Sequence, residues 1–364
     1  MRRVKIAELK LGMIVARNIY DSDGRILLHT GVQLSDNYIT RLNQMGIASV
    51  YVKDEFDELN IPVADVVSEQ TRVETIKIIK QNFELLENNH KIDTRTIKKM
   101  VDSLIDELLA NYNVLISLND IRSFDDYTFA HSVNVCILSI MTGMSLLLND
   151  LKLKELGVGA LLHDIGKTKI DKAILNKAGD LTKEEFTEIK RHTQYGFEIL
   201  RAYDEFPLLA AHVAYQHHER WDGNGYPRQL EGENIQAYSR IVATADVYDA
   251  LLADRPYRPS YSINQAITIL KNMSGIYLDA RCVTALIANI AVYPVGSLIQ
   301  LNTGEIGIVM DNNKEFPTRP VVRIIIDNTR HNLVRQHEID LSKLSSIIIV
   351  KALSDEDITE LKKE

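Results

Sequence analysis

The sequence predicts a multidomain protein in which an all-α helical domain is flanked by a small N-terminal α+β module and a small C-terminal β module. Three observations lead to this prediction. The chain has 364 residues, enough for two or three domains. Apolar residues recur at helical spacing through its middle, and after Pro294 the period changes to two. With 45% hydrophobic and 25% charged residues, the composition is that of a folded globular protein.

The first region, residues 1–65, has the pattern of a small α+β module. Short apolar runs at 13–15, 26–28 and 47–52 indicate strands, and turn signals such as Asp23-Gly24 separate them. The segment between the last two runs, from Asn37 to Met45, looks helical. Nothing in this module identifies the signal that it would sense.

Residues 66–117 form a second region, rich in Lys, Glu, Ile and Leu. Ile76 and Phe83 fall on one helical stripe, and Met100 and Leu104 fall on another. These helices could be a connector, a dimerising pair, or one wall of the domain that follows. The pattern leaves the three roles open.

The third region, residues 118–293, reads as successive helices, with a capping box at Thr182 and Glu185. Its most apolar run, residues 135–148, is too short to cross a bilayer, so we predict a buried helix there. The last region, residues 294–364, alternates with the period of β-strands. Its strand-like runs lie at 298–303, 306–310, 321–326 and 345–350.

Charge and cysteine content exclude several classes of function. The net charge of −8 argues against duplex nucleic acid as a partner, because counterion release favours basic proteins. A small anionic ligand remains compatible, since a pocket can be locally positive. Two cysteines, Cys136 and Cys282, are too few for a disulfide scaffold or a thiolate zinc cluster and suit a reducing compartment. We therefore predict a cytoplasmic protein that binds neither duplex nucleic acid nor a membrane.

Histidines cluster in the helical region. Six of the ten lie within 88 residues, at His131, His163, His192, His212, His217 and His218. Burying so many unpaired imidazoles would cost several kcal/mol each. Neutral imidazole and carboxylate together are what a first-row transition metal takes where thiolate is absent. The clustering predicts a metal site, from which we leave out His212, an isolated histidine expected to pack or to form a hydrogen bond.

Two motifs carry a resemblance to a known family. His163-Asp164-Ile165-Gly166-Lys167 and the eleven residues His217 to Pro227, HHERWDGNGYP, resemble the HD-GYP family of HD-domain metal-dependent phosphohydrolases. The resemblance covers residues 118–290. It implies an all-helical HD-type catalytic domain that hydrolyses cyclic di-GMP to linear pGpG, and often on to GMP, by metal-hydroxide attack at a dinuclear centre.

The resemblance also implies a ligand set of seven side chains. One metal would be held by His131, His163 and Asp246, the other by His192, His217 and His218, with Asp164 bridging them. Members with three metals carry a glutamate four residues before the first histidine, where this chain has Tyr127. A phenol is a poor ligand at neutral pH, so we predict two divalent ions, iron first and manganese next, although such ligands also admit zinc.

Catalytic and substrate-binding residues follow from the same motifs. Asp164 and Lys167 are the predicted catalytic residues, because a cation that shares the face of His163 and Asp164 could steady a phosphoryl group or protonate the leaving oxygen. The predicted substrate contacts in these motifs are Lys167, Gly223 and Tyr226. Two more, Arg255 and Arg258, lie in the segment Arg255-Pro256-Tyr257-Arg258, which resembles an arginine/lysine segment of the family. Glycines let a loop approach a ligand closely, and guanidinium groups clamp phosphate oxygens. The alternatives are a loop tyrosine packed on the domain and arginines that are merely solvated.

Two rival functions remain open at this stage. The substrate could be another cyclic dinucleotide, such as cyclic GMP-AMP, or a linear nucleotide, because nothing in the sequence reads the base. The protein could also be a receptor that binds cyclic di-GMP without hydrolysis, although the intact ligand set argues against this. Besides the nucleotide, a homodimer and a diguanylate cyclase or other signalling proteins are open as partners.

Overall fold

The computed structural model describes residues 2–20, 25–45, 47, 49–53, 65–116, 127–177, 179–253, 261–329, 332–353 and 357. Its buried apolar side chains form one small cluster between residues 4 and 52 and one large cluster between residues 66 and 292. Two further clusters lie in the C-terminal sheet. The large cluster is the core of the helical domain that holds the candidate site.

The N-terminal cluster is enclosed by short strands and one helix. These are β1 (Arg2–Lys5), β2 (Ile19–Tyr20), β3 (Ile26–Leu28), α1 (Asp36–Gln44) and β4 (Ser49–Val52). The first strand pairs antiparallel with the last, and β2 pairs with β3. The run at 13–15 forms isolated bridges only, because Ile14 and Val15 face partners on two different segments, Gln33 and Val52, so no ladder continues.

The helical domain consists, in the described residues, of eleven α-helices. They are α2 (Glu69–Glu87), α3 (Thr94–Ala110), α4 (Tyr127–Ser145), α5 (Asp150–Leu161), α6 (Lys172–Leu175), α7 (Lys183–Lys190), α8 (His192–Arg201), α9 (Leu208–Gln216), α10 (Ala237–Leu252), α11 (Ile263–Met273) and α12 (Ala280–Ile287). The predicted capping box of Thr182 and Glu185 is confirmed at the start of α7.

Helix α4 lies at the centre of this domain. It is apolar nearly all round, and such a helix is stable only when it is buried. It packs against α2, α5, α10 and α12, and it contains much of the run at 135–148, which is thereby confirmed as part of a buried helix. No helix among the described residues combines the length and the apolar character that a membrane span requires.

Helices α2 and α3 belong to the same core. Ile79 and Phe83 of α2 and Leu104 and Leu108 of α3 are buried in one cluster with α4. Helix α2 also packs against the short 3-10 helix Ile165–Lys169, and α3 packs against α5. Of the three roles considered for these helices, the structure therefore shows them as one wall of the helical domain.

The C-terminal region is a five-stranded antiparallel sheet with the order β8-β7-β6-β5-β9. Its strands are β5 (Leu298–Leu301), β6 (Ile306–Asp311), β7 (Val321–Ile326), β8 (Asn332–Asp340) and β9 (Ile349–Ala352). The sequence did not predict β8, because this edge strand is polar through most of its length. The run predicted at 345–350 is displaced towards the C-terminus and begins its strand only at Ile349.

Candidate metal centre

The His163-Asp164 pair lies in a tight turn after α5, which ends at Leu161. Both side chains point inward and are 0% and 2% exposed. The turn needs glycine at its next step, because a Cβ on Gly166 would lie 1.9 Å from the carbonyl oxygen of His192. The α-helix ends before Lys167, and the 3-10 turn that follows brings Lys167 Nζ to 2.5 Å from Asp164 Oδ2.

The remaining histidines come from three other elements. His131 lies in α4, His192 begins α8, and His217 and His218 follow directly on α9. Together with the turn after α5, these elements bring the candidate ligands into two groups, whose nitrogen and oxygen atoms all lie within 4.8 Å of one another. The first group is His131, His163 and Asp164, and the second is Asp164, His192, His217 and His218. Asp164 belongs to both.

The second group is compact. The Nε2 atoms of His192 and His217 are 3.4 Å apart. Asp164 Oδ1 lies 3.5 Å from His192 Nε2 and 3.8 Å from His217 Nε2. The imidazole of His218 lies beside both rings, with centroid distances of 5.1 Å to His192 and 4.1 Å to His217. Four ligand atoms therefore surround one point in the interior.

The first group meets Asp164 from the opposite side. Asp164 Oδ2 is 3.4 Å from His163 Nε2, and the rings of His131 and His163 meet edge to face at 5.3 Å. Asp246 of α10 places its Oδ1 3.1 Å from His131 Nε2. The two oxygens of one carboxylate thus face two different sets of imidazoles.

The backbone orients three of the imidazoles. His163, His192 and His217 each place Nδ1 against the carbonyl oxygen of the residue three positions earlier, at 2.8, 2.6 and 3.0 Å. A carbonyl only accepts, so the proton lies on Nδ1 and the lone pair on Nε2. This hydrogen bond to the second nitrogen is the arrangement typical of metal-ligating histidine.

His131 is oriented differently, by a carboxylate that sequence reasoning missed. Its Nδ1 lies 2.6 Å from Oδ2 of Asp249, a residue with 0% exposure. Asn134 Nδ2 donates to the other oxygen of Asp249 at 2.9 Å. The signal was present in the sequence, because Asp249 follows Asp246 by three residues and so shares its helix face.

Two atoms of the cluster are buried without a hydrogen-bond partner, His163 Nε2 and Asp164 Oδ1. Leaving a buried acceptor unsatisfied costs about 1–3 kcal/mol. Both atoms point into the cluster, and both can donate a lone pair to a cation. Imidazole nitrogens mixed with carboxylate oxygens are suited to divalent first-row metals. The residues present therefore fit a divalent metal.

Burial and charge set the protonation states of these groups. Burial lowers the pKa of His217 well below its ordinary value and that of His218 to about 3, so both imidazoles are neutral. Burial opposes ionisation of Asp164, but attraction to Lys167 and His163 outweighs it and holds the pKa of the carboxyl well below its usual range. These three groups are thus already in the forms that bind a metal. At His131, burial is outweighed by hydrogen bonds to Asp246 and Asp249, which raise its pKa well above the ordinary value, so this ligand releases a proton on binding.

The loop at 222–231 closes over one side of the cluster. Tyr226 stacks on the imidazole of His218, with ring centroids 4.7 Å apart. Gly223 has a φ of +76°, which by itself calls for glycine. A Cβ on Gly225 would lie 2.3 Å from the backbone nitrogen of Arg220, so this glycine admits the chain's own backbone. The contact of Gly223 with substrate stays a prediction.

A buried glutamate that the sequence analysis did not single out anchors this loop. Glu219 is 3% exposed, and its two oxygens accept from the backbone N–H groups of Arg228 at 2.7 Å and Leu230 at 3.0 Å. The carboxylate therefore connects the double histidine to the far side of the loop. It was overlooked because a Glu inside a recognised motif has no distinctive spacing of its own.

The other predicted residues have varied positions. His212 lies within 3.4 Å of a side-chain nitrogen of Gln216 and packs on Phe197, away from both groups. Tyr127 begins α4, but its side chain lies outside the described residues, as do Arg255 and Arg258. The predicted substrate contacts at these two arginines are thus not placed by the structure.

The chain is similar to known proteins over both its helical region and its C-terminal region. Residues 104–282 match the HD domain family, and residues 298–361 match the KOW domain associated with HD domains. A cyclic di-GMP phosphodiesterase of Pseudomonas aeruginosa is 36% identical over 252 residues, 69% of this chain and 61% of that protein. A 3′3′-cGAMP-specific phosphodiesterase of Vibrio cholerae is 39% identical over 160 residues, 44% of this chain and 35% of that protein.

Among solved structures, an HDG"Y"P protein of Bdellovibrio bacteriovorus superimposes with a TM-score of 0.52. The match covers 78% of this chain and 97% of that one at 18% identity, and it supports the fold. The helical fold and the buried His/Asp cluster define an HD domain with a divalent-metal site, followed by a KOW-like β module. Over residues 104–282 the chain matches the HD domain family, and its two motifs are similar to those of the HD-GYP family. It spans about three-fifths or less of the length of the curated relatives described above.

Proposed function

We propose that the protein is a metal-dependent phosphodiesterase that hydrolyses cyclic di-GMP to linear pGpG and on to GMP. The observation that carries this proposal is the shared position of Asp164, whose two oxygens face two separate groups of imidazoles. Such a carboxylate suits a bridge between two cations. Paired cations about 4 Å apart are the usual device for in-line displacement at phosphorus.

In this proposal His131, His163 and Asp246 hold one cation, and Asp164 bridges it to the second. The ligands of the second cation are His192, His217 and His218. When bound, the cations supply Lewis acidity and a hydroxide nucleophile at neutral pH. The chain itself keeps His217 and His218 neutral and Asp164 ionised, and it excludes bulk water by burial.

The lysine beside the cluster has a role in charge balance. Lys167 Nζ lies 2.5 Å from Asp164 Oδ2, and about a third of its side chain is exposed. From this position it can reach a phosphate oxygen or the leaving 3′-oxygen of a bound nucleotide while remaining close to the carboxylate. We propose that it stabilises the leaving group and that Tyr226, stacked on His218, contacts a phosphate or the base.

The arginines Arg255 and Arg258 complete the proposed substrate site. Guanidinium groups recognise phosphate oxygens bidentately, and these two follow α10, the helix that carries Asp246. Their contribution rests on the sequence motif. Iron is the proposed resident metal and manganese the next candidate, because a mixed nitrogen and oxygen ligand set accepts both.

The proposed organisation retains the predicted boundaries. Residues 1–65 form an N-terminal α+β module, and the helical segment 66–117 connects it to the catalytic domain at 118–293 and packs on the core of that domain. Residues 294–364 form the β-rich module. A cytoplasmic site of action fits a nucleotide substrate. A homodimer and signalling proteins such as a diguanylate cyclase remain proposed partners, and neither carries a step of the reaction.

The experiment that tests the function is a product assay with metal analysis. Protein prepared without oxygen is stripped, reloaded with Fe²⁺ or Mn²⁺, and incubated separately with cyclic di-GMP, 3′3′-cyclic GMP-AMP and linear pGpG. We expect about two metal equivalents per chain and release of pGpG and then GMP from cyclic di-GMP. An alanine variant of His192 provides the inactive comparison.

Three outcomes would change the proposal. Faster turnover of cyclic GMP-AMP than of cyclic di-GMP would move this chain to the substrate class named for its Vibrio cholerae relative. Tight binding of cyclic di-GMP by the metal-loaded protein without any product would make it a receptor. Hydrolysis of linear pGpG alone would make it a linear-nucleotide hydrolase.

A further inference from the structure

A buried arginine on α2 is connected to the metal centre by a chain of hydrogen bonds. Arg72 is 4% exposed, and its Nη1 donates to Asn134 Oδ1 at 2.9 Å. Asn134 Nδ2 donates in turn to Asp249 Oδ1 at 2.9 Å, and Asp249 Oδ2 lies 2.6 Å from His131 Nδ1. Every member of this chain is at most 6% exposed. Arg72 lies outside the part of the chain that matches the HD domain family.

The hydrogen-bond donors between Arg72 and His131 have only one consistent arrangement. A guanidinium can only donate, so Asn134 must present its oxygen to Arg72 and its amide nitrogen to Asp249. A carboxylate can only accept, so His131 must carry its proton on Nδ1. The nitrogen left to bind a metal is then Nε2, the atom beside Asp246 in the proposed metal site. Asp249 thus fixes Nδ1 of His131 as a donor, and Asn134, held by Arg72, fixes the position of Asp249.

The guanidinium is held firmly from its other side. Its Nη2 lies 3.5 Å from Asp65 Oδ1, and Asp65 Oδ2 lies 3.9 Å from Nη1 of Arg17 in the N-terminal region. The first turn of α2 is itself clamped to α3, because Glu107 accepts hydrogen bonds from the backbone nitrogen and the hydroxyl of Ser68. Arg72 is therefore placed by contacts independent of the metal centre.

We infer that Arg72 is a positioning residue for the metal ligand His131, acting through Asn134 and Asp249. The inference rests on the proposed two-cation site and concerns the half of it that contains His131. Without Arg72, the amide of Asn134 can turn over or lose its buried acceptor contact, and Asp249 then holds the imidazole less firmly. The other three Nδ1 contacts, which use backbone carbonyls, are untouched.

The test is a metal titration of the full chain, which requires no substrate. Stripped protein is titrated with Mn²⁺ against a competing chelator, and the step belonging to His131 is identified by its loss in H131A. We expect R72M to weaken that step roughly tenfold, the lower end of the range for outer-sphere partners, and to leave the other step within about twofold. R72K, which retains a donor, should recover most of the loss.

The control is R240M, which removes another arginine of the helical domain whose side chain is 13% exposed and paired with Asp279 at 2.8 Å. It should leave both steps unchanged. A double-mutant cycle with N134L separates positioning from general packing, since the R72M/N134L double variant should be no worse than the poorer single variant. If R72M does not fold, R72K and N134L carry the same comparison.

Equal weakening of both steps in R72M would make Arg72 a merely structural residue and would overturn the inference. The same holds if R72M keeps wild-type affinity, or if the losses in R72M and N134L add. A protein that shows the selective tenfold loss yet hydrolyses no cyclic dinucleotide would retain this inference and lose the proposed function. The two failures are therefore distinguishable.

Discussion

The two halves of the metal centre are held by different means. On the side of His192 and His217, the backbone orients each imidazole through a carbonyl three residues away. On the side of His131, the side-chain carboxylate of Asp249 orients the imidazole and itself accepts a hydrogen bond from Asn134. His163, in the same half as His131, is also oriented by a backbone carbonyl. The halves therefore differ at His131, whose orientation depends on side chains that a single substitution can remove.

This difference teaches where the site can be adjusted. A carbonyl contact is lost only when the backbone moves, so the His192 side should resist point mutation except at residues that shape the turn. A side-chain contact can be weakened without disturbing the fold. Substitutions near His131 should therefore alter one metal step selectively, and those that reshape the backbone should affect the other.

The largest effect is expected at the residue common to both halves. D164N removes the negative charge that faces both groups, so metal binding weakens in both halves together and the difference between them is lost. We expect a loss in kcat of about 10³-fold, equivalent to roughly 4 kcal/mol. Metal analysis and a product assay measure it, with thermal unfolding to verify the fold. Retention of both metals with wild-type turnover would refute the bridging role.

The second effect should strike the His131 half alone. In D249N, the amide oxygen accepts from Asn134, so the amide nitrogen faces His131 Nδ1 and drives the proton to Nε2. An imidazole protonated on Nε2 cannot ligate, and we expect affinity for one metal to fall about 10–100-fold. The matched control is D279N, which alters a carboxylate that is 4% exposed and bonded to Arg240. Loss of both steps would contradict the division into halves.

The third effect should strike the His192 half through the backbone. In G166A, the new Cβ meets the carbonyl oxygen of His192 and the backbone nitrogen of Gly196, neither of which can rotate away. We expect the start of α8 to shift, a destabilisation of about 1–3 kcal/mol, and weaker binding at the His192 step. Denaturant unfolding and metal titration measure the two effects.

The control for this variant is G179A, because a Cβ at Gly179 would meet nothing within 4 Å. It should leave stability and both metal steps unchanged. If G166A weakened the His131 step more than the His192 step, the assignment of backbone and side-chain control to the two halves would be reversed.

The smallest effect is expected outside both halves. E219Q replaces one acceptor with a donor that faces a backbone N–H, which loosens the loop carrying Tyr226 at a cost of about 1–3 kcal/mol. We expect KM to rise a few-fold with little change in kcat and none in metal affinity. Steady-state kinetics beside E233Q, a change at an exposed glutamate, provide the check. A weakened metal step would show that the loop supports the cluster directly.

Much of the fold could be predicted because hydrophobic periodicity is local. The stripes of α2 and α3 and the apolar run in α4 all lie within single elements. The polar edge strand β8 was missed because it has no such period to detect. The strand predicted at 13–15 is reduced to isolated bridges at Ile14 and Val15, because an apolar run alone does not reveal whether a partner continues the ladder.

The site divides in a similar way. The types of its candidate ligands were recognisable from motif spacing, since imidazoles and carboxylates in that number have little structural use in a helical bundle. Asp249 and Glu219 escaped because their roles consist of single hydrogen bonds to partners distant in the chain. His163 and Asp164 lie in a turn, and only the packing of Gly166 against α8 shows why the preceding helix must end before them.

The order of residues alone was sufficient to indicate the chemistry of the centre. Metal preference is a property of the donor atoms, and the residue types determine which donor atoms are present. It could not decide which atom of each imidazole faces inward, or what holds it there. Those choices depend on contacts such as that of Arg72 with Asn134, 62 positions apart. Such contacts exist only once the helices have packed, since tautomer and orientation are set by neighbours in space.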